Sequence, residues 1–351
     1  MTEEHDLNHL ISVDRKIKRR AVVGLIVTFA LMVTVFFTCI FVGSVDLDFE
    51  IVIDAMMGRA SWSQNYIVKE IRIPRLICAA IVGASLSLSG MCMQALFKNP
   101  MASPSILGIS SGAAFGAALY IAVGYGVFQI TYGTTIFAFI MSGITMLLVY
   151  GLAYQKRGTH TIMLLLSGMA INALFSGLTS TIEFFSDADT VSSIVFWILG
   201  SFEKCNWASV KIIAVSAIVG SILVLYNSRE LNLIAGGERK AKALGVNVKN
   251  VRIMLIVGTC LLVASSVSVC GIIGFVGLII PHIFRTICGP DHKYLGPMCI
   301  LGGALFMMLF DTIARSLMPP YELPVGIITS IIGAPFFMYI MRKREKDIWS
   351  V

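Results

Sequence analysis

Charge is what this chain has least of. Its 351 residues include 27 Lys and Arg and 20 Asp and Glu, a charged fraction of 13%. Ordinary soluble domains carry about 25%. With 57% of the residues hydrophobic, a water-solvated globular domain is excluded. Catalytic motifs are missing too. No GxxxxGKS/T phosphate loop or HExxH zinc helix occurs. The chain therefore has no motif for hydrolysing ATP and no constellation for an enzyme of the membrane. The five histidines, His5, His9, His160, His282 and His292, lie far apart. No ligand cluster can be read from them, and His282, beside Pro281, reads as a hydrogen-bonded residue at a helix break. None of the eight cysteines forms a CxxC pair, and most fall inside apolar runs. They read as small packing residues rather than metal ligands or disulfide partners. No resident cofactor or metal is expected.

What is present is length of apolar run. Stretches of about 20 apolar residues recur, enough for a helix to cross a hydrocarbon core of ~30 Å. The expectation is an all-α polytopic membrane protein of ten spans. They are roughly 22–43, 76–96, 105–126, 132–154, 161–182, 207–227, 253–270, 272–288, 298–317 and 324–341. Residues 1–21 and 342–351 then form cytoplasmic ends around a transmembrane domain of 22–341. The first run, Ala21–Gly43, is too long for a signal-peptide core and lacks a clear cleavage site. Arg15, Lys16, Lys18, Arg19 and Arg20 precede it and hold that end in the cytoplasm. Only Arg59, Lys69, Arg72, Arg75, Lys204, Lys211 and Arg315 of the 27 basic residues then fall on or near the outer side. That is the positive-inside pattern. The net charge of +7 thus points to membrane orientation and not to nucleic acid. Residues 44–73 and 183–206 read as outer connections, with Trp62, Trp197 and Trp207 as interfacial anchors.

One long charged run interrupts the interior, Leu231–Arg252, LNLIAGGERKAKALGVNVKNVR. A short helix can be read inside it. Gly237 serves as N-cap, Glu238 sits in the first turn where the dipole favours an acid, and Gly245 takes the left-handed position past the end. Ala241 and Leu244, three apart, give one small apolar ridge. So short a helix needs a support. It is either the handle by which another protein moves this one or a solvated connector.

Other charges need a reason. Arg72 and Arg75 oppose the charge rule, while Asp311 and Arg315 share a helix face inside a span. They form either a structural pair with snorkelling arginines or a docking site. A faint echo also runs through the chain. A shift of 181 residues lays Val82, Ser85, Ser87 and Gly90 on Val263, Ser266, Ser268 and Gly271, and Pro100 and Gly108 on Pro281 and Gly289. An inverted repeat of this kind is typical of transporters.

Four segments together carry a family resemblance. They are RIPRLICAAIVGASLSLSGMCMQALFKNPMASPSILGISSGAA, GGERKAKALGVNV, GFVGLIIPHIFRTICGPDHKYLGP and DTIARSLMPPYELPVGIITSIIGAPFF. From about Arg72 to Arg342 the chain resembles the FecCD family, permease subunits of ABC importers for iron–siderophore complexes, vitamin B12 and haem. The resemblance implies the type II ABC importer permease fold, a homodimer or paired permease in the cell membrane, and a pathway between the two subunits. It makes Gly237, Glu238, Ala241, Leu244 and Gly245 the coupling segment, seated on a cytoplasmic ATPase that holds the ATP and Mg. It makes Arg72, Arg75 and Arg315 docking residues for an extracytoplasmic substrate-binding protein. It puts the cytoplasmic gate at Asn99, Met101 and Thr161. Met101 replaces the family's usual Leu, and the turn before Thr161 departs from its usual form. An iron–siderophore complex is the expected cargo, with vitamin B12 or haem as alternatives on the same architecture. The alternative class is a secondary transporter driven by ions through Asp311 and Arg315.

Overall fold

In lipid a backbone can satisfy its polar groups only internally, so long apolar runs become helices. The computed structural model describes residues 2–43, 48–154, 161–319 and 321–348, and it is nearly all helical. In chain order the helices are α1 Thr2–Phe41, α2 Phe49–Met57, α3 Trp62–Tyr66 and α4 Ile73–Leu96, the last two joined by a π-helical stretch, Ile67–Arg72. Next come α5 Ile109–Leu119, α6 Tyr125–Phe128, α7 Gly133–Ala153, α8 Thr161–Phe185 and α9 Ala188–Leu199. The remainder are α10 Trp207–Tyr226, α11 Ser228–Ala235, α12 Glu238–Ala243, α13 Val248–Cys270, α14 Val276–Cys288, α15 His292–Ser316 and α16 Val325–Ile348.

Among the described residues, seven helices are long and apolar enough to cross a membrane. They correspond to seven of the ten expected spans. The other three expected spans fall on shorter apolar helices, in α5, α14 and α16. A fourth short apolar helix, α9, lies in the stretch read from sequence as an outer connection. Asp187 caps it, accepting from the Thr190 N–H at 2.7 Å, and this bond lowers the Asp187 carboxyl below its usual range. Helix α14 has 13 residues, about 20 Å at the α-helical rise. That is too short for the helix alone to make a full crossing. Residues 271–275 before it are non-helical and half-buried or buried in the bundle, the setting in which open backbone is tolerated at membrane depth.

Helix α4 is the centre. The membrane window of the run that ends in it is 78% buried, against 17% for α1 at the periphery. Small residues permit that density. Gly83 meets the backbone of Gly303 on α15, and Gly90 meets the backbone of Gly277 on α14; a Cβ at either would collide with the facing carbonyl. The eight cysteines are free thiols, all buried except the half-buried Cys260, as packing residues should be.

The 181-residue echo holds for one pair of elements only. Val82, Ser85 and Ser87 in α4 and Val263, Ser266 and Ser268 in α13 are all buried helical residues. Past that point the equivalence is partial. Gly90 lies inside α4 while Gly271 ends α13, and Pro281 sits within a helix while Pro100 lies in a turn. Gly90 and Pro100 match residues that do different backbone work, whereas Gly108 and Gly289 both cap helix ends at positive φ, 74° and 80°.

Candidate functional site

Helix α4 separates two polar ends by about 36 Å, its 24 residues at 1.5 Å each. Arg72 and Arg75 stand at its start. Leu96, Phe97 and Lys98 at its other end line a cavity of about 560 Å³ with Ile162, the Gly236–Gly237 pair, Glu238, Arg239 and Lys240.

At that second end the charged loop folds much as its local signals predict. Gly237 is the N-cap of α12 with φ 135°, and Gly245 follows the helix with φ 83°, both in the region that favours glycine. The Gly245 N–H donates to the Lys242 carbonyl at 3.0 Å and the Val246 N–H to the Ala241 carbonyl at 3.1 Å. This pair is a Schellman closure. The expected Ala241–Leu244 ridge does not form. Ala241 is fully buried, whereas Leu244, at the C-cap, is 67% exposed. Arg239, Lys240 and Lys242 are exposed around it. Glu238 forms an ion pair with Arg252 near the start of α13, so the loop is tied to a long helix rather than loosely strung.

A second tie was not legible in the sequence. The Asn232 carbonyl oxygen accepts from the His292 backbone N–H at 3.0 Å and lies 2.5 Å from its ring Nδ1. The Asn232 amide donates to Asp291 Oδ1 at 2.7 Å. Helix α11 is thereby fastened to the start of α15. An Asn in a run of Leu and Ile was the available signal, but its partners lie some sixty residues away.

The expected gate residues gather at the same end. Asn99 Oδ1 accepts from the Met101 N–H at 2.9 Å, closing a tight turn, and Met101 is exposed. The backbone of Thr161 opens α8, while its side chain lies outside the described residues. Its neighbour Ile162 shares the cavity wall with Lys98 and Gly237. A second cavity of about 740 Å³ adjoins Asn99 and Pro100, with Gln94, Asn232, Arg285 and His292 among its walls.

The arginine end corrects the sequence reading. Arg72, Arg75 and Arg315 are 3%, 5% and 3% exposed, so none presents its charge to a docking protein. Their work is internal. Arg75 grips Asp311 through Nε and Nη2, with contacts of 2.9 to 3.1 Å, and reaches Glu322 through Nη1 at 2.6 Å. Arg72 donates to the carbonyls of Ile40 and Phe41 at 2.7 and 3.1 Å, and Arg315 to that of Cys39 at 2.6 Å. Those three carbonyls are in the last turn of α1, which has no helical donors left for them. Cations there also meet the negative end of the helix dipole. Arg315 and Asp311 are only a loose pair at 4.0 Å; the tight partner of Asp311 is Arg75. Since Asp311 is fully buried and held by a bidentate fork, it is not poised as an ion-coupling carboxylate.

One membrane-length helix has a face unsuited to lipid. Asn172, Ser176 and Ser180 recur every four residues along α8 and are all exposed, with Ala173 and Gly177 between them. Polar side chains at this depth belong against protein or a water-filled space.

Three comparisons bear on this geometry. The family model described as FecCD transport family matches residues 31–343. The hemin transport system permease protein HmuU of Yersinia pestis is 36% identical over 307 residues, covering 87% of this chain and 91% of that protein. The cobalamin import system permease protein BtuC of Halobacterium salinarum is 41% identical over 279 residues, covering 80% and 74%. Among solved structures, an inward-facing transporter described as of metal-chelate type superposes with a TM-score of 0.81 at 36% identity, covering 91% of this chain and 98% of that one.

Proposed function

Because the chain belongs to the FecCD transport family, we propose that it is the membrane-spanning permease of an ATP-driven importer of metal chelates, with an iron–siderophore complex as cargo. The observation that carries the reading is α12. It is a short basic helix, anchored beneath by buried Ala241 and by the Glu238–Arg252 pair, with Leu244 standing exposed at its end. An exposed leucine among cations on a rigid base fits the groove of a protein partner better than a solvated connector. That partner is a cytoplasmic ATPase carrying ATP and Mg. Gly237, Glu238, Ala241, Leu244 and Gly245 then transmit its closure to the permease.

The rest of the assembly follows from chemistry. The Asn172–Ser176–Ser180 face of α8 suits a water-filled pathway shared with a second permease subunit. Its side chains are small and uncharged, so they let a bulky chelate pass without competing for the metal. Asn99, Met101 and Thr161 form the cytoplasmic gate beside α12. We read ten crossings, with α5, α14 and α16 completing the seven long helices, and both termini in the cytoplasm. An extracytoplasmic binding protein docks at the arginine end. Arg72, Arg75 and Arg315 serve that docking by holding the surface in shape, not by touching the partner.

The test is uptake into proteoliposomes holding the permease, its ATPase and its binding protein. Radio-iron in a siderophore complex is expected to enter on ATP with the membrane potential collapsed. Uptake that follows an ion gradient and ignores ATP would overturn the importer reading. Uptake of hemin or cobalamin with none of the iron complex would overturn the cargo and keep the architecture.

A further inference from the structure

Proline inside a helix removes one backbone donor, and the carbonyl four residues earlier loses its partner. In α14 the proline is Pro281, and the carbonyl belongs to Gly277. Another helix supplies the missing donor. Gln94 of α4 directs its side-chain amide at the Gly277 carbonyl, 3.2 Å away, and at the Leu278 carbonyl, 3.3 Å away. The approach is possible because Gly90 and Gly277 bring the two backbones together. The Gln94 amide oxygen accepts from Arg285 Nη2 at 3.0 Å. Gly277 and Arg285 are eight residues apart, two helical turns, on one face and on either side of the proline. A single glutamine, 3% exposed, thus spans the break.

The same residue reaches the gate. Its backbone carbonyl accepts from the Asn99 N–H at 3.1 Å, and Asn99 in turn bonds Met101. Gln94, Asn99 and Arg285 line one cavity. A buried glutamine could be explained by packing alone if its partners were scattered. Here both ends of the Gln94 side-chain amide meet α14 on either side of the proline break, and its backbone carbonyl meets the gate turn after α4.

We infer that Gln94 is a positioning residue of the cytoplasmic gate, clamping the end of α4 to α14 across the Pro281 break so that both helices carry the Asn99 turn as one unit. The inference rests on the gate reading above. It makes a particular demand of two substitutions together. Gln94→Leu strands the Gly277 carbonyl. Pro281→Ala returns a backbone N–H to that carbonyl and should make the glutamine donor dispensable.

The experiment uses the assembled transporter in proteoliposomes, with a cysteine replacing Met101 in a background without accessible native cysteines. A membrane-impermeant maleimide reads labelling from the cytoplasmic side, without nucleotide and with ATP and vanadate. The unmodified gate is expected to label at clearly different rates in the two states. Gln94→Leu should shrink that difference by about fivefold, the lower end of ordinary coupling between sites. Adding Pro281→Ala should restore most of it. Gln94→Glu, which keeps an acceptor for Arg285 and loses the donor, should behave like Gln94→Leu and decides the matter if the leucine variant fails to assemble. A nucleotide-dependent difference that survives unchanged in both Gln94 variants overturns the clamp alone. No difference in the parent protein overturns the gate reading, and the clamp falls with it.

Discussion

Arg75 is the residue on which the arginine end turns. Its guanidinium, itself buried, meets two carboxylates, those of the buried Asp311 and the half-buried Glu322. Buried ion pairs add little net stability when intact, but removing one partner is expensive because the other charge is stranded. Arg75→Leu is therefore expected to destabilise the permease by about 3–5 kcal/mol, and adding Asp311→Leu should recover much of that. Thermal unfolding in detergent followed by fluorescence would show it. Equal melting of the single and double variants would mean that the pair is not energetically coupled. Salt makes a second readout. Exposed charges are screened by salt and buried ones hardly at all, so the Arg75→Leu defect should persist at high salt. From sequence these arginines looked like docking charges because only their position along the chain was visible. That Arg72 and Arg315 cap the end of α1 depends on Cys39, Ile40 and Phe41 standing beside α4 and α15, which no local signal records.

At the scale of elements, α12 shows what local chemistry can specify. Gly237, Glu238 and Gly245 fit their positions for reasons confined to a few residues, and the helix forms between them as expected. The direction of each side chain was not local. Ala241 points into the bundle because α11 and α13 flank the loop, and Leu244 is left outward. Leu244→Asp should therefore leave insertion and folding intact while weakening ATPase binding. An anchor at an interface centre is worth about 2 kcal/mol or more, roughly a thirtyfold loss of affinity. Co-purification and surface plasmon resonance with the ATPase would measure it; normal binding would return the loop to the status of a connector. Helices α9 and α14 show the opposite case. Each is too short to announce a crossing, and distant backbone packs closely on Gly200 and Gly271 beside α9 and on Gly277 in α14.

For the whole molecule the decisive quantity is orientation. In the proposed arrangement of ten crossings, oriented by the basic loops, α12 lies in the cytoplasm and the arginine end outside. A cysteine at Lys240 is then expected to react only with reagent on the cytoplasmic side, and one at Ser61 only from outside, in a background without accessible native cysteines. The reverse pattern would invert every partner assignment. The polar face of α8 belongs to this scale too. A single chain leaves Asn172, Ser176 and Ser180 uncovered, and this is the face that the proposed second subunit would enclose.

The sequence by itself determined the membrane class, the charged loop with its two terminal glycines, and the family, because hydrophobic length, charge bias and capping act over neighbouring residues. The four family blocks also contain the proposed gate turn and coupling loop. Only the tertiary structure decided which charges are buried, which helices stop short, and what Gln94, Asn232 and the three arginines hold. Those facts are fixed by donors and acceptors that meet across dozens to hundreds of residues. The packed bundle selects them by bringing donors from distant helices to buried carbonyls and carboxylates.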